Sequence, residues 1–147
     1  METALPTEID LQIVTPERRV VSETVTWVSL PGRDGRLGIL PGHAPLISEL
    51  AAGVISYVKG GKTQVLAAGG GFTEVLQGRV IVLAETAERA DEVDIDRAER
   101  AKKEAEEALG NGNAGSADVA NAQAARARAQ ARLDAAHEAH QPASRAH

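Results

Sequence analysis

The sequence predicts an α+β protein. An N-terminal antiparallel β-sandwich of about ten short strands precedes a C-terminal antiparallel two-helix hairpin. Three observations carry this expectation. Up to Ala84 the chain runs in short β-branched segments separated by glycine and proline turns. From Asp94 the apolar residues recur at helical spacing, at Ile95, Ala98, Ala101 and Ala105. Between the two lies a short charged joint with neither period. The expected division is residues 1–87 sandwich, 88–93 joint, 94–140 helical hairpin and 141–147 loose tail. Such a chain suggests a rigid platform carrying a movable arm.

Ile9 to Ile13 alternates strictly and reads as a half-buried strand. Pro16-Glu17 turns the chain. Arg19 to Ser22 and Thr24 to Leu30 follow as β-branched strands. Pro31 to Gly35 is a turn with an Asp-Gly pair suited to a hairpin. Leu37 to Leu40 is short, because neither Pro41 nor Pro45 can donate a ladder hydrogen bond. Leu46 to Leu50 resumes extension. Val54 to Val58 and Gln64 to Ala68 flank the turn Lys59-Gly60-Gly61-Lys62. Gly69-Gly70-Gly71 suggests a bulge or sharp bend. Phe72 to Leu76 and Arg79 to Ala84 pair around Gln77-Gly78.

In the first helix, Arg100–Glu104, Lys102–Glu106 and Lys103–Glu107 are opposite charges four apart, a solvated face. Leu109 to Ser116 makes a glycine- and asparagine-rich loop, with Asp118 the expected N-cap of the second helix. That helix is dominated by alanine, with Leu133 its one large apolar residue after Val119. Alanine favours helix but buries little area, which suits a detachable arm. Compositional drift toward alanine is the plainer explanation of the same feature.

Composition narrows the function classes. Net charge is −5, with 12 acids and 8 bases up to Glu92 and 9 acids and 8 bases beyond it. Neither half has the basic surplus of a nucleic-acid binder. The absence of cysteine excludes disulfides and thiolate metal sites. METALPTEID lacks the features of a signal peptide, and the apolar runs are too short to cross a bilayer, so direct membrane insertion is not expected. The aromatic residues Trp27, Tyr57 and Phe72 all precede the joint, which places the core there.

Few residues suggest chemistry. Gly61-Lys62-Thr63 imitates the end of a phosphate loop, but Ser56 stands where the first glycine is needed and the triplet sits in a hairpin. His43 is alone in the sandwich, where a metal enzyme needs several ligands. It reads as a loop residue that caps backbone groups or meets a partner. No catalytic set is suggested, and no cofactor is required. Arg128 and Arg132 share a helix face, and a hairpin brings them near Asp94 and Arg97. Two arginines on adjacent turns can grip phosphate. Ion pairs with Glu99, Glu106 or solvent are the simpler expectation from spacing alone.

The run Gly35-Arg36-Leu37-Gly38-Ile39-Leu40-Pro41-Gly42-His43-Ala44-Pro45-Leu46 resembles the epsilon subunits of bacterial F-type ATP synthase. Two further blocks match in order: Gly70 to Val75 with Val80 to Ala87, and Val93-Asp94 with Arg97-Ala98. The resemblance implies a non-catalytic rotor-stalk protein attached at the cytoplasmic face of the inner membrane. Its implied partners are the gamma subunit, the c-ring and the alpha/beta catalytic head. Its hairpin would fold down on the sandwich, or extend toward the head and inhibit ATP hydrolysis. In some members ATP holds the folded state. Carried over, those ligands fall on Glu88, Val93, Asp94, Ala98, Arg128 and Arg132, with Arg97 nearby. Contacts to the c-ring and gamma are expected at Arg36, Leu37, Pro41, Gly42 and His43. The chain departs from the pattern at Val93, where isoleucine or leucine is commoner, in its long inter-helix loop, and in the tail after Gln141.

Overall fold

Strict alternation in β1 (Ile9–Val14) points Ile9, Leu11 and Ile13 into a core and leaves the residues between them half-buried. The computed structural model describes residues 5–140, so the expected tail at 141–147 lies outside the described residues. After β1 come β2 (Arg19–Val25), β3 (Trp27–Gly32), β4 (Gly35–Ile39), β5 (Leu46–Lys59), β6 (Lys62–Leu76), β7 (Arg79–Ala84) and β8 (Ala87–Arg89). A 3-10 turn, Ala90–Glu92, leads to α1 (Ile95–Leu109) and α2 (Ser116–Ala139). The strand order is β2-β1-β7-β6-β5-β3-β4, with β8 added to β6. All pairings are antiparallel except β1 with β7. These two strands are remote in sequence, so no hairpin dictates their direction.

Eight strands are present among the described residues, fewer than the spacing suggests, because β5 and β6 run through two expected breaks. Their ladder keeps one register from Leu46↔Val75 to Lys59↔Lys62, so the three glycines make no bulge. They bend the strand instead. Gly71 to Leu76 pair with β7, whereas Leu66 to Ala68 pair with β8. The ladder therefore belongs to both layers of the sandwich. At Gly71 φ is +131°, and a β-carbon there would lie 1.9 Å from the Leu83 carbonyl. At Gly69 it would lie 2.0 Å from the Thr86 hydroxyl. Only glycine lets the strands pass this closely.

Branched aliphatic residues build the core, including Leu11, Ile13, Val28, Leu30, Ile55 and Val82. Tyr57 is the one aromatic residue in it. Phe72 is 54% exposed, where β6 pairs with β7, contrary to the expectation that the aromatics mark the interior. On β5, Val54 to Tyr57 are buried on both faces. Ile55 and Tyr57 point into the sandwich. Val54 points outward, where it clusters with Ala67, Ala90, Ala131 and Ala135. α2 thus lies on the outer face of β5 and β6, and α1 packs on α2.

This two-sided burial accounts for the alanines. Ala131 and Ala135 face the sheet. Ala122, Ala129 and Ala136, spaced by seven, are buried as well, and so are Ala98 and Ala105 on α1, whose main contact is α2. A helix buried on opposite sides keeps no broad apolar stripe. Small side chains let it approach both neighbours closely. The N-cap of α2 is Gly115, not Asp118, which lies inside the first turn, where its charge suits the helix dipole.

Two outcomes test this architecture. The chain ending at Glu92 unfolds cooperatively in urea as a β protein, because its core holds no residue of α1 or α2. Gly71→Ala costs about 2–4 kcal/mol in the same measurement, from strain at positive φ and the clash with Leu83.

Candidate functional site

The docked hairpin brings two of the expected arginines against the sheet. Arg128 and Arg132 share the α2 face that carries Ala131 and Ala135, by their spacing of three and four. With Ala67, Ala68, Gly69, Thr86, Ala87 and Glu88 they line a cavity of about 40 Å³. Arg132 Nε donates to Glu88 Oε1 at 2.8 Å, with both side chains about one-third exposed. Arg128 makes no hydrogen bond or ion pair among the described residues. Arg126, not Arg128, reaches across the hairpin toward Glu106, at 4.0 Å.

The other candidate ligands do not line this cavity. Asp94 caps α1, its Oδ1 accepting from the Arg97 backbone N–H at 3.1 Å. Val93 closes the preceding 3-10 turn. Ala98 is 2% exposed, in the seam with α2. The structure thus brings together Arg128, Arg132 and Glu88, whereas Asp94, expected from spacing near the arginines, caps the start of α1.

The expected partner face divides in the same way. Arg36 Nε and Nη2 donate to Ser29 Oγ at 3.0 and 2.8 Å, and Nη2 also to the Val54 carbonyl at 2.7 Å. The β3–β5 pairing loses its register between Ser29 and Gly32, the stretch that holds Pro31. Proline has no N–H to give to a ladder, and within this irregular stretch the Arg36 side chain supplies a donor to the Val54 carbonyl. Leu37 packs against the core. Pro41, Gly42 and His43 remain at one end of the sandwich, beside exposed Leu40 and Leu76. His43 Nδ1 hydrogen-bonds the Ala44 carbonyl at 2.6 Å, which orders this loop.

Both parts of the chain match family models. Residues 8–90 match the β-sandwich domain of the ATP synthase delta/epsilon chain, and residues 91–137 match its long α-helix domain. The chain belongs to the ATP synthase delta/epsilon family. Among its relatives, the ATP synthase epsilon chain of Desulforamulus reducens is 48% identical over 126 residues, covering 86% of this chain and 95% of the relative. That of Herpetosiphon aurantiacus is 50% identical over 128 residues, covering 87% and 93%. A chain in the Euglena gracilis mitochondrial ATP synthase, OSCP/F1/c-ring assembly, has the same fold, with a TM-score of 0.78 at 24% identity, over 92% of this chain and 85% of that one.

Sequence reasoning missed three residues that organise the site. Gly69 and Thr86 form the cavity floor. Their signal was present, in the glycine triplet and in the Val80–Ala87 block. Arg89 donates to the Tyr57 hydroxyl at 3.3 Å and the Val20 carbonyl at 3.4 Å, tying β8 to the sandwich. The hydrogen bond to Tyr57 raises the Arg89 guanidinium above its ordinary value, against the opposing effect of burial. The joint is therefore anchored through Arg89, and Arg18 adds an ion pair to Glu92 at 3.5 Å.

Packing rather than charge holds α2 down. Arg132→Ala removes a partly exposed ion pair and lowers hairpin stability by less than about 1 kcal/mol. Ala135→Leu forces a branched side chain into a fully buried contact and costs about 1–3 kcal/mol. Amide exchange in α2 of each variant checks this order.

Proposed function

We propose that this chain is a non-catalytic subunit of the rotor stalk of a proton-translocating ATP synthase. It couples rotation of the c-ring and gamma subunit to the catalytic head, and its hairpin is a movable inhibitory arm. Family membership supports the assignment to the complex. The observation that carries the arm is the composition of its contact with the sheet: alanine against valine and alanine, plus one partly exposed ion pair. Each buried methyl contributes about 0.8 kcal/mol, so little energy separates the docked arm from a released one.

Partner contacts are assigned to two exposed apolar areas. Leu40 and Leu76 sit at the end of the sandwich beside Pro41, Gly42 and His43. Ile47, Phe72 and Leu83 are exposed on neighbouring strands β5, β6 and β7, where Phe72 pairs with Leu83. Such surface is expected to be covered in a complex. No helix among the described residues is long and apolar enough to cross a membrane, and attachment at the cytoplasmic face would run through these partners.

ATP is the proposed regulatory ligand of the docked arm. Arg128 and Arg132 are suitable forked donors for phosphate. The cavity between them and β8, at about 40 Å³, is well below the roughly 300–1,000 Å³ of ligand pockets. A nucleotide therefore needs α2 to shift outward and Arg132 to leave Glu88. At a hundredfold excess over Kd, binding to the docked form alone adds about 2.7 kcal/mol, enough to bias a weakly held arm. Calorimetric titration with ATP tests the reading: saturable binding lost in the Arg128→Ala/Arg132→Ala double variant is expected. Heat unchanged by the double variant removes this site from the function.

A further inference from the structure

The three asparagines of the chain, Asn111, Asn113 and Asn121, all lie in or beside the inter-helix loop. They differ in the residue on their C-terminal side and in how their backbone is held. Asn111 precedes Gly112, and both are exposed. The Gly112 N–H donates no hydrogen bond among the described residues. The Asn111 side-chain carbonyl is already polarised, because Oδ1 accepts from the Asn113 backbone N–H at 3.1 Å. A free nucleophilic nitrogen, no side chain to crowd it and a donor on the reacting carbonyl are the three local requirements of intramolecular amide exchange.

We infer that Asn111-Gly112 is a site of spontaneous deamidation at the tip of the hairpin. The deprotonated Gly112 nitrogen attacks Asn111 Cγ. The Asn113 N–H stabilises the developing oxyanion on Oδ1 in the manner of an oxyanion-hole donor. The Cγ–Nδ2 bond breaks, ammonia leaves with the proton returned by solvent, and a cyclic imide remains. One water then opens the imide at either carbonyl, giving aspartate or isoaspartate. No oxidant, metal or enzyme is needed.

The other asparagines serve as internal controls. Asn113 precedes Ala114, whose N–H is engaged by the Asn111 carbonyl at 3.2 Å. Asn121 precedes Ala122 inside α2, where the backbone N–H groups are held by the helix. The product matters to the fold because it places a new carboxylate just beyond α1, at the negative end of the helix dipole and on a groove it shares with Glu104 and Asp118. The isoaspartyl form also inserts a methylene into the main chain of the loop. Both changes loosen the hairpin at the end farther from the joint.

The test is incubation of the full chain in mildly alkaline buffer, followed by peptide mass spectrometry and isoaspartate-specific fragmentation. Asn111 is expected to gain about one dalton, in mixed aspartyl and isoaspartyl forms, at least about tenfold faster than Asn113, a difference of about 1.4 kcal/mol in barrier. Asn121 is expected to stay intact. Gly112→Ala adds a β-carbon into open space, so the fold is kept, and it slows the reaction at Asn111. Equal rates at Asn111 and Asn113, or a rate at Asn111 indifferent to Gly112→Ala, would overturn the assignment.

Discussion

The β5–β6 ladder is the constraint that shapes every other part of the structure. It runs in one register across both layers of the sandwich, so a single hairpin closes the core and also presents the surface on which α2 lies. The bend that permits this falls at Gly69 to Gly71, where strands approach too closely for a β-carbon at the first and third positions. The same bend lets β6 exchange β7 for β8. β8 in turn carries Glu88 and Arg89 to opposite tasks: Glu88 meets the helix, and Arg89 locks the joint to Tyr57 inside the sandwich.

The result is an unequal division of stability. The sandwich holds its own apolar core, with buried residues from β1 to β7 and the partly buried Ala87 of β8 packed against them. The hairpin contributes no residue to it and rests on the outer face through small side chains. Alanine gives α2 shape without adhesion, and burial on two sides divides what adhesion there is between α1 and the sheet. Arg128 makes no ion pair among the described residues and lines the same cavity as the Arg132–Glu88 pair. These features suit a part that is held down conditionally.

Much of this was legible in the residues. Alternation in β1 and the helical period after Asp94 specify the elements, because burial on one face leaves a period in the sequence. The start of α1 at Asp94 could be read for the same reason, although its capping role was not. The features that escaped depend on tertiary contact. The union of short segments into β5 and β6 comes from pairing that glycine permits but does not announce. Phe72 faces outward because alternation fixes its side of the strand, whatever its hydrophobicity. Arg36, an expected partner residue, also donates to the Val54 carbonyl beside the irregular β3–β5 stretch that holds Pro31, a role visible only once that pairing is known. At the site, spacing united Arg128 and Arg132, but their acidic neighbour came from β8 rather than from α1.

The central claim is that the hairpin opens as a unit while the sandwich stays closed. Native-state hydrogen exchange across a denaturant series measures this directly. Amides of α1 and α2 are expected to share one opening free energy, several kcal/mol below that of the β5 and β6 amides, with the sandwich protected throughout. A single common opening free energy for helices and strands would contradict the account, since it would make the hairpin an inseparable part of the fold.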